Sequence, residues 1–201
     1  MLWSILITAI PERFNTVQPL LFNLLETQGV IRNNEIELIY LLDNRRRTVG
    51  AKRNALLDMA RGEYISQIDD DDAVAPTYVD TIYKAIARTR RSQPQADVIC
   101  FPQRATLAPG GAVHQCTYSL KNKTRELLPT GTPNVFNWSG PPAHTMVWRS
   151  GIAKACQFPD KQFQEDTAWV DKCCALAVTE AQIGVEPLYF YRFDAARSAT
   201  R

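Results

Sequence analysis

The residues best suited to chemistry in this 201-residue chain are acids gathered at two places. Residues 64–73 read YISQIDDDDA, with Asp69, Asp70, Asp71 and Asp72 in a row, and Glu165-Asp166 stands in FQEDTAWVDKC. Carboxylate oxygens suit hard divalent cations, and Mg²⁺ typically takes one or two of them plus phosphate oxygens of a substrate. On an extended segment alternate side chains share a face, so Asp69 and Asp71 point one way and Asp70 turns away. Two readings fit the run: a metal site, or an acidic turn in which Asp72 caps the helix that Pro76 begins. Glu165-Asp166 also has two. It is a carboxylate placed to take a proton, or an acidic first turn favoured by the helix dipole.

These acids must be positioned by the elements around them. Residues 2–10 are an apolar run ending at Pro11, IELIYLL (36–42) ends at Asp43, and EYISQI (63–68) ends at the aspartates. All three read as buried strands, and ADVICF (96–101) as a fourth. Between them lie helical patterns. Residues 15–28 have Asn15 or Thr16 as N-cap, residues 49–60 put Ala51, Ala55, Leu56 and Met59 on one face, and a third helix runs from Pro76. Such alternation predicts a mostly parallel sheet with helices on both faces. Ligands bind beyond the carboxyl ends of strands in such sheets, where Pro11 to Arg13, Asp43 and Asp69 to Asp72 all fall. The second half is less regular. APGGAVHQCTYSL reads as a turn into an antiparallel strand, LPTGTPNVFNWSGPPAH as a long functional loop, 165–178 as a helix and QIGVEPLYFYRF as a last strand.

Hydrophobic residues are 45% and charged residues 22% of the chain, an ordinary globular balance, so one domain over 1–201 is expected. A formal net charge of +2 announces no nucleic-acid or membrane partner. Cys100, Cys116, Cys156, Cys173 and Cys174 form no CxxC pair, which fits reduced structural thiols in a cytoplasmic protein. MLWSILITAI lacks a basic start and a cleavage site and reads as a strand. No run reaches the roughly 18 apolar residues of a transmembrane segment.

In order, SILITAIPERF, IELIYLLDN, GAKRNALLDMARGEYISQIDDDD, AHTMVWRSGI, FPD and FQEDTAWVDKC resemble the nucleotide-sugar domain of family 2 glycosyltransferases, the GT-A fold. The resemblance spans nearly the whole chain and is thinnest over 103–142. It implies an α/β architecture with a nucleotide-sugar half (1–102) and a smaller antiparallel, loop-rich acceptor and base half (103–201). It implies that Pro11, Glu12 and Arg13 line the nucleotide-base pocket, that Asp43 hydrogen-bonds the base, uracil, and that Arg53, helped by Lys52, approaches the nucleotide. Asp70 would join these donor-binding residues. Asp69 would contact ribose or metal-bound water, and Asp71 with Asp69 would hold Mn²⁺ or Mg²⁺ at the diphosphate. Asp166, with Glu165 beside it, would be the general base. Asp194 stands where many members carry a His and is a further candidate ligand, while Arg192 and Arg197 are alternatives for the diphosphate.

The activity implied is metal-dependent transfer of a sugar from a nucleotide diphosphate sugar, a UDP-sugar, to an acceptor hydroxyl. One base and in-line attack would invert the anomeric configuration. Trp138, in the polar loop, and His144 are acceptor candidates, and both also fit purely structural roles, as does Trp148. Basic runs at 45–47, 87–91 and 121–125 read as solvated surface or as a preference for an anionic acceptor. A glycan, a lipid-linked sugar and a modified DNA base are the acceptor classes considered. The alternatives are a nucleotidyltransferase, whose Gly-rich signature TAIPERFNT lacks, and a non-catalytic nucleotide- or carbohydrate-binding module, which needs no base.

Overall fold

The computed structural model describes residues 1–107 and 111–193. Every residue of β1 (Trp3–Ala9) is buried, so this strand lies at the centre of a sheet. α1 (Phe14–Phe22) then leads to β2 (Ile36–Leu42), α2 (Val49–Met59) and β3 (Tyr64–Asp69). β2 and β3 flank β1 in parallel, as apolar runs joined by helices require. β4 (Ala73–Val74), α3 (Tyr78–Thr89), β5 (Val98–Cys100), β6 (Gln103–Leu107), β7 (Val113–Tyr118), β8 (Glu126–Pro129) and β9 (Val135–Gly140) follow. The chain continues as β10 (Val147–Arg149), α4 (Ser150–Ala155), α5 (Glu165–Leu176), β11 (Glu180–Gln182) and β12 (Tyr189–Phe193).

Two six-stranded sheets result, ordered β11-β5-β10-β3-β1-β2 and β4-β12-β6-β7-β9-β8. The α/β architecture is the one expected, and the first sheet is mostly parallel. β10 is inserted antiparallel between β3 and β5, so the sheet is mixed. The stretch 128–144 is not a long loop. β8 and β9 pair antiparallel, with Leu127 opposite Trp138, and only 130–134 turns between them. Trp138 therefore sits on a strand. Its alternation with Asn137 and Ser139 was hidden by the flanking Pro and Gly.

Two helix readings also shift. α3 begins at Tyr78, with Thr77 as its N-cap, so Pro76 precedes the helix and Asp72 caps nothing. α1 begins after a short 3-10 turn, Pro11–Arg13, and Arg13 is its N-cap in place of Asn15 or Thr16. In α2 the apolar face expected from periodicity is rotated. Lys52, Arg53, Leu56 and Leu57 are buried, whereas Met59 is 59% exposed. Tertiary pairing of Arg53 with Asp69 and Glu165 overrides the pattern.

α5 packs against β10 of the first sheet through Trp169. Trp169 stacks on Phe158 (4.6 Å, 4° between planes) and meets Trp148 edge-on at 5.6 Å. Gly50 is required where α2 meets the segment before α5. A Cβ there would lie 1.9 Å from the Pro159 carbonyl oxygen. Thr48 Oγ1 donates to Asp160 Oδ1 at 2.5 Å, and Asn54 exchanges hydrogen bonds with Phe158. α2 is thus locked to the segment 158–160 that precedes α5.

Candidate active site

A cleft of about 230 Å³ opens at the carboxyl ends of β1 and β3, between α2 and the start of α5. Arg13, Lys52, Arg53, Asp69, Asp70, Asp71, His144, Glu165 and Asp166 all line it. Nine of the site residues expected from sequence, drawn from five separate stretches, therefore meet in one place. The long-range contacts are carried by Arg53, a residue 4% exposed. Its Nη2 donates to Asp69 Oδ1 (2.8 Å), its Nη1 to Gln67 Oε1 (2.7 Å) and its Nε to Glu165 Oε1 (3.2 Å). Burial alone would ease a proton off the guanidinium, but the charges of Asp69 and Glu165 outweigh it and hold it fully cationic. Gln67 was missed in the sequence. A lone amide inside the apolar run YISQI was the available signal.

The four aspartates take four different positions. Burial pushes the Asp69 carboxyl up, but Arg53 and His144 more than reverse this and hold it well below the usual range. Asp70 is buried. Its oxygens accept from Ile10 N (3.1 Å) and Arg13 Nη1 (2.6 Å), so it fixes the turn after β1. Burial still pushes its carboxyl up. Asp71 pairs with Arg13 at 3.0 Å, yet its side chain stays 32% exposed. Burial and the Asp69 charge push its carboxyl up to about 6. Asp72 is buried and bound to β12, accepting from Tyr189 OH (2.6 Å) and Arg192 N (2.9 Å).

Across the cleft, α5 begins after Gln164 in the left-handed region (φ 59°). A residue with a Cβ holds that conformation only where its surroundings fix it. The next side chain, Glu165, turns inward to Arg53. Asp166 faces the cleft, 39% exposed, with Oδ1 accepting from Thr167 N at 2.8 Å. His144 stands between the two acidic runs. Its Nε2 is 3.2 Å from Asp69 Oδ2 and its Nδ1 is 3.6 Å from Asp166 Oδ2.

Other expected residues fall elsewhere. Pro11, Glu12 and Asp43 are not among the lining residues. Glu12 is exposed and pairs with Arg45 at 3.1 Å. Asp43 is committed to its own loop, accepting from Arg46 N (3.0 Å) and pairing with Arg47 (3.4 Å). Trp148 is core, 1% exposed. Trp138 lines an adjoining cavity with Tyr118, Arg125, His144, Asp166, Tyr189 and Tyr191. Tyr189 and Tyr191 were not singled out from sequence, although period-two alternation along β12 puts both on one face. The Arg192 side chain lines a separate hollow beside Asp72 and Asn15. Asp194 and Arg197 lie outside the described residues. No helix among the described residues is long and apolar enough to cross a membrane.

Among solved structures, the chain is similar to TarS of S. aureus. Residues 1–349 of that protein in complex with UDP-GlcNAc superpose with a TM-score of 0.63 at 16% identity, over 96% of this chain and 59% of that one. The same protein with UDP gives 0.62 at 15% identity, over 96% of this chain and 61% of that one. The present chain thus spans about three-fifths of those relatives. At such identity the likeness carries the fold, the GT-A arrangement expected above. No curated protein sequence matches the chain. A sequence-family model does, over residues 26–137, more than half the chain and including the run of four aspartates. On that match, the chain belongs to glycosyl transferase family 2.

Proposed function

We propose that the protein transfers a sugar from a nucleotide diphosphate sugar, a UDP-sugar, to an acceptor hydroxyl, with inversion at the anomeric carbon. The observation that carries this reading is that Asp71 and Asp166, from two separate acidic runs, face one cleft and keep part of their surface open. Their neighbours Asp70 and Glu165 are buried against arginines.

Mn²⁺ or Mg²⁺ fits this donor set. Among the described residues no three His, Cys, Asp or Glu side chains gather to hold a cation alone. Two carboxylates completed by substrate oxygens is the pattern that Mg²⁺ tolerates. Asp71 and Asp69 would hold it, and its chemistry there is to offset the charge of the leaving diphosphate. The rest is done by the chain itself. Arg13 and Arg53 keep Asp70 and Asp69 in place. Asp166 accepts the proton of the acceptor hydroxyl as the glycosidic bond forms. His144, touching both Asp69 and Asp166, holds the base at a fixed distance from the donor side. The aromatic walls of the adjoining cavity, Trp138 and Tyr191, receive the acceptor. A base on one side and a leaving group on the other correspond to in-line displacement, hence inversion.

The test is calorimetry and donor hydrolysis with UDP-, GDP- and TDP-sugars, starting from UDP-GlcNAc, which a structural relative binds. Binding and hydrolysis are expected with Mn²⁺ and should disappear in EDTA. Equal activity in EDTA removes the metal role, and no binding of any donor removes the enzyme reading.

A further inference from the structure

The cavity beside Asp166 restricts what the acceptor can be. Most of its polar wall is already engaged. The Tyr118 hydroxyl donates to Gln103 Oε1 (2.9 Å), Gln103 Nε2 donates to Thr145 Oγ1, and the Tyr189 hydroxyl donates to Asp72 Oδ2 (2.6 Å). His144 is held between Asp69 and Asp166. The hydroxyls of Thr167 and Tyr191 and the guanidinium of Arg125 also line the cavity, and they form no hydrogen bond or ion pair with any described residue. Arg125 is therefore the one full charge on this wall that neither the fold nor the steps above employ.

Its place follows from the strand register. Arg125 directly precedes β8, two residues before Leu127, and Leu127 pairs with Trp138. Alternation puts Arg125 on the side of the sheet that carries Trp138, and Glu126 on the other. Among the three basic runs, only 121–125 enters this cavity. Arg45 and Arg47 line the donor cleft, and Arg90 pairs with Glu63.

A guanidinium presents a planar fork of donors that matches two oxygens of a phosphate or a carboxylate. Trp138, Pro141, Pro142 and Val170 give the rest of the wall an apolar surface for the CH face of a sugar or polyol. The cavity measures about 280 Å³, at the lower end of small-molecule sites, which run about 300–1,000 Å³, so it takes a single unit. Asp166 and Arg125 line the same cavity, so the attacked hydroxyl and the anion belong to that unit.

Resting on the glycosyl-transfer reading above, we propose that the acceptor is an anionic sugar or polyol, carrying a phosphate or carboxylate on the unit whose hydroxyl is attacked, and that Arg125 is the residue that selects it.

The experiment measures transfer by mass spectrometry from UDP-GlcNAc, UDP-glucose and UDP-galactose in Mn²⁺. The acceptors are glycerol with glycerol 3-phosphate, and glucose with glucose 6-phosphate and glucuronate. The proteins are wild type, Arg125→Gln and Lys121→Gln. Wild type should favour a charged acceptor over its neutral partner by about tenfold or more in kcat/KM, the worth of one hydrogen bond to a charged group. Whether the phosphate or the carboxylate leads tells the two anions apart. Arg125→Gln should lose that ratio through a higher KM for the charged acceptor. Lys121→Gln, in the same basic run but off the cavity wall, should keep it. Equal use of charged and neutral acceptors by wild type overturns the proposal, as does transfer to none of them while a donor still binds. So does an equal loss in Lys121→Gln, which assigns the preference to the diffuse charge of the run. Failure to bind any donor removes the glycosyl-transfer reading itself and this inference with it.

Discussion

In each acidic run, neighbours in sequence end in opposite conditions. Glu165 is buried against Arg53, while Asp166 keeps 39% of its side chain open to the cleft. Asp70 is buried under Ile10 N and Arg13, while Asp71 keeps 32% open. The two runs lie on different elements, yet each supplies one acid to the framework and one to the cleft. A buried carboxylate with its oxygens satisfied is held in one place and cannot readily change its partners. An open one can meet a cation or a proton. The comparison therefore separates two kinds of variant: loss of a framework acid should reach folding, and loss of an open acid should reach activity alone.

Asp166→Asn tests the open side most severely. Donor hydrolysis should fall by about 10²–10⁴ if the carboxylate is the base. Donor affinity and melting temperature should stay near wild type. Unchanged turnover would remove Asp166 from the chemistry and leave it an acidic helix start. Arg53→Met tests the framework side. It leaves Asp69 and Glu165 without their shared cation, and breaking such a buried network typically costs about 3–5 kcal/mol. Urea denaturation reads this directly. A loss under about 1 kcal/mol would mean the network orients the acids without stabilising the fold.

The cleanest contrast lies within the aspartate run. Asp71→Asn should abolish Mn²⁺-dependent donor binding and change stability little. Asp70→Asn should destabilise by about 1–3 kcal/mol, because Ile10 N and Arg13 lose a charged acceptor. The two profiles, measured by calorimetry and by denaturation, should be opposite. If Asp70→Asn proves the more damaging to metal-dependent binding at equal stability, Asp70 belongs with the ligands.

This division was only half legible in the sequence. The strands after which the acids stand could be read from apolar runs, and alternation separated Asp70 from Asp69 and Asp71. Which acid would be buried depended on Arg13 and Arg53, and their reach depends on tertiary packing. α2 shows why. Its apolar pattern favoured Met59 as a core residue, but the site turns Lys52 and Arg53 inward and leaves Met59 in solvent. Asp43 was read as a ligand group from its place at a strand end, and it is spent on the backbone of residues 46 and 47. β8 and β9 were hidden because Pro129, Gly131, Pro133 and Gly140 bracket short strands whose pairing, not composition, defines them. Tyr189 and Tyr191 were visible as parts of a strand, but not as cavity walls.

Asp97 gives the smallest and most general check, since it is a framework acid away from the cleft. Its Oδ2 accepts from Val178 N (2.9 Å) and Thr179 N (3.0 Å), and Oδ1 pairs with Arg149 at 3.3 Å. Burial pushes the carboxyl up, but these hydrogen bonds outweigh it and hold it below the usual range. A depressed carboxylate stabilises the fold above its unfolded value of about 3.9, and that stability is lost as pH falls through the lower folded value. Asp97→Asn keeps one oxygen for the two backbone donors but turns an amide towards Arg149. It should cost about 1 kcal/mol at neutral pH. The gap from wild type should narrow below about pH 4, where the native carboxylate is itself being protonated. Donor binding should not change. A gap independent of pH would assign the loss to packing, and altered donor affinity would show that framework and cleft acids are coupled across the sheet.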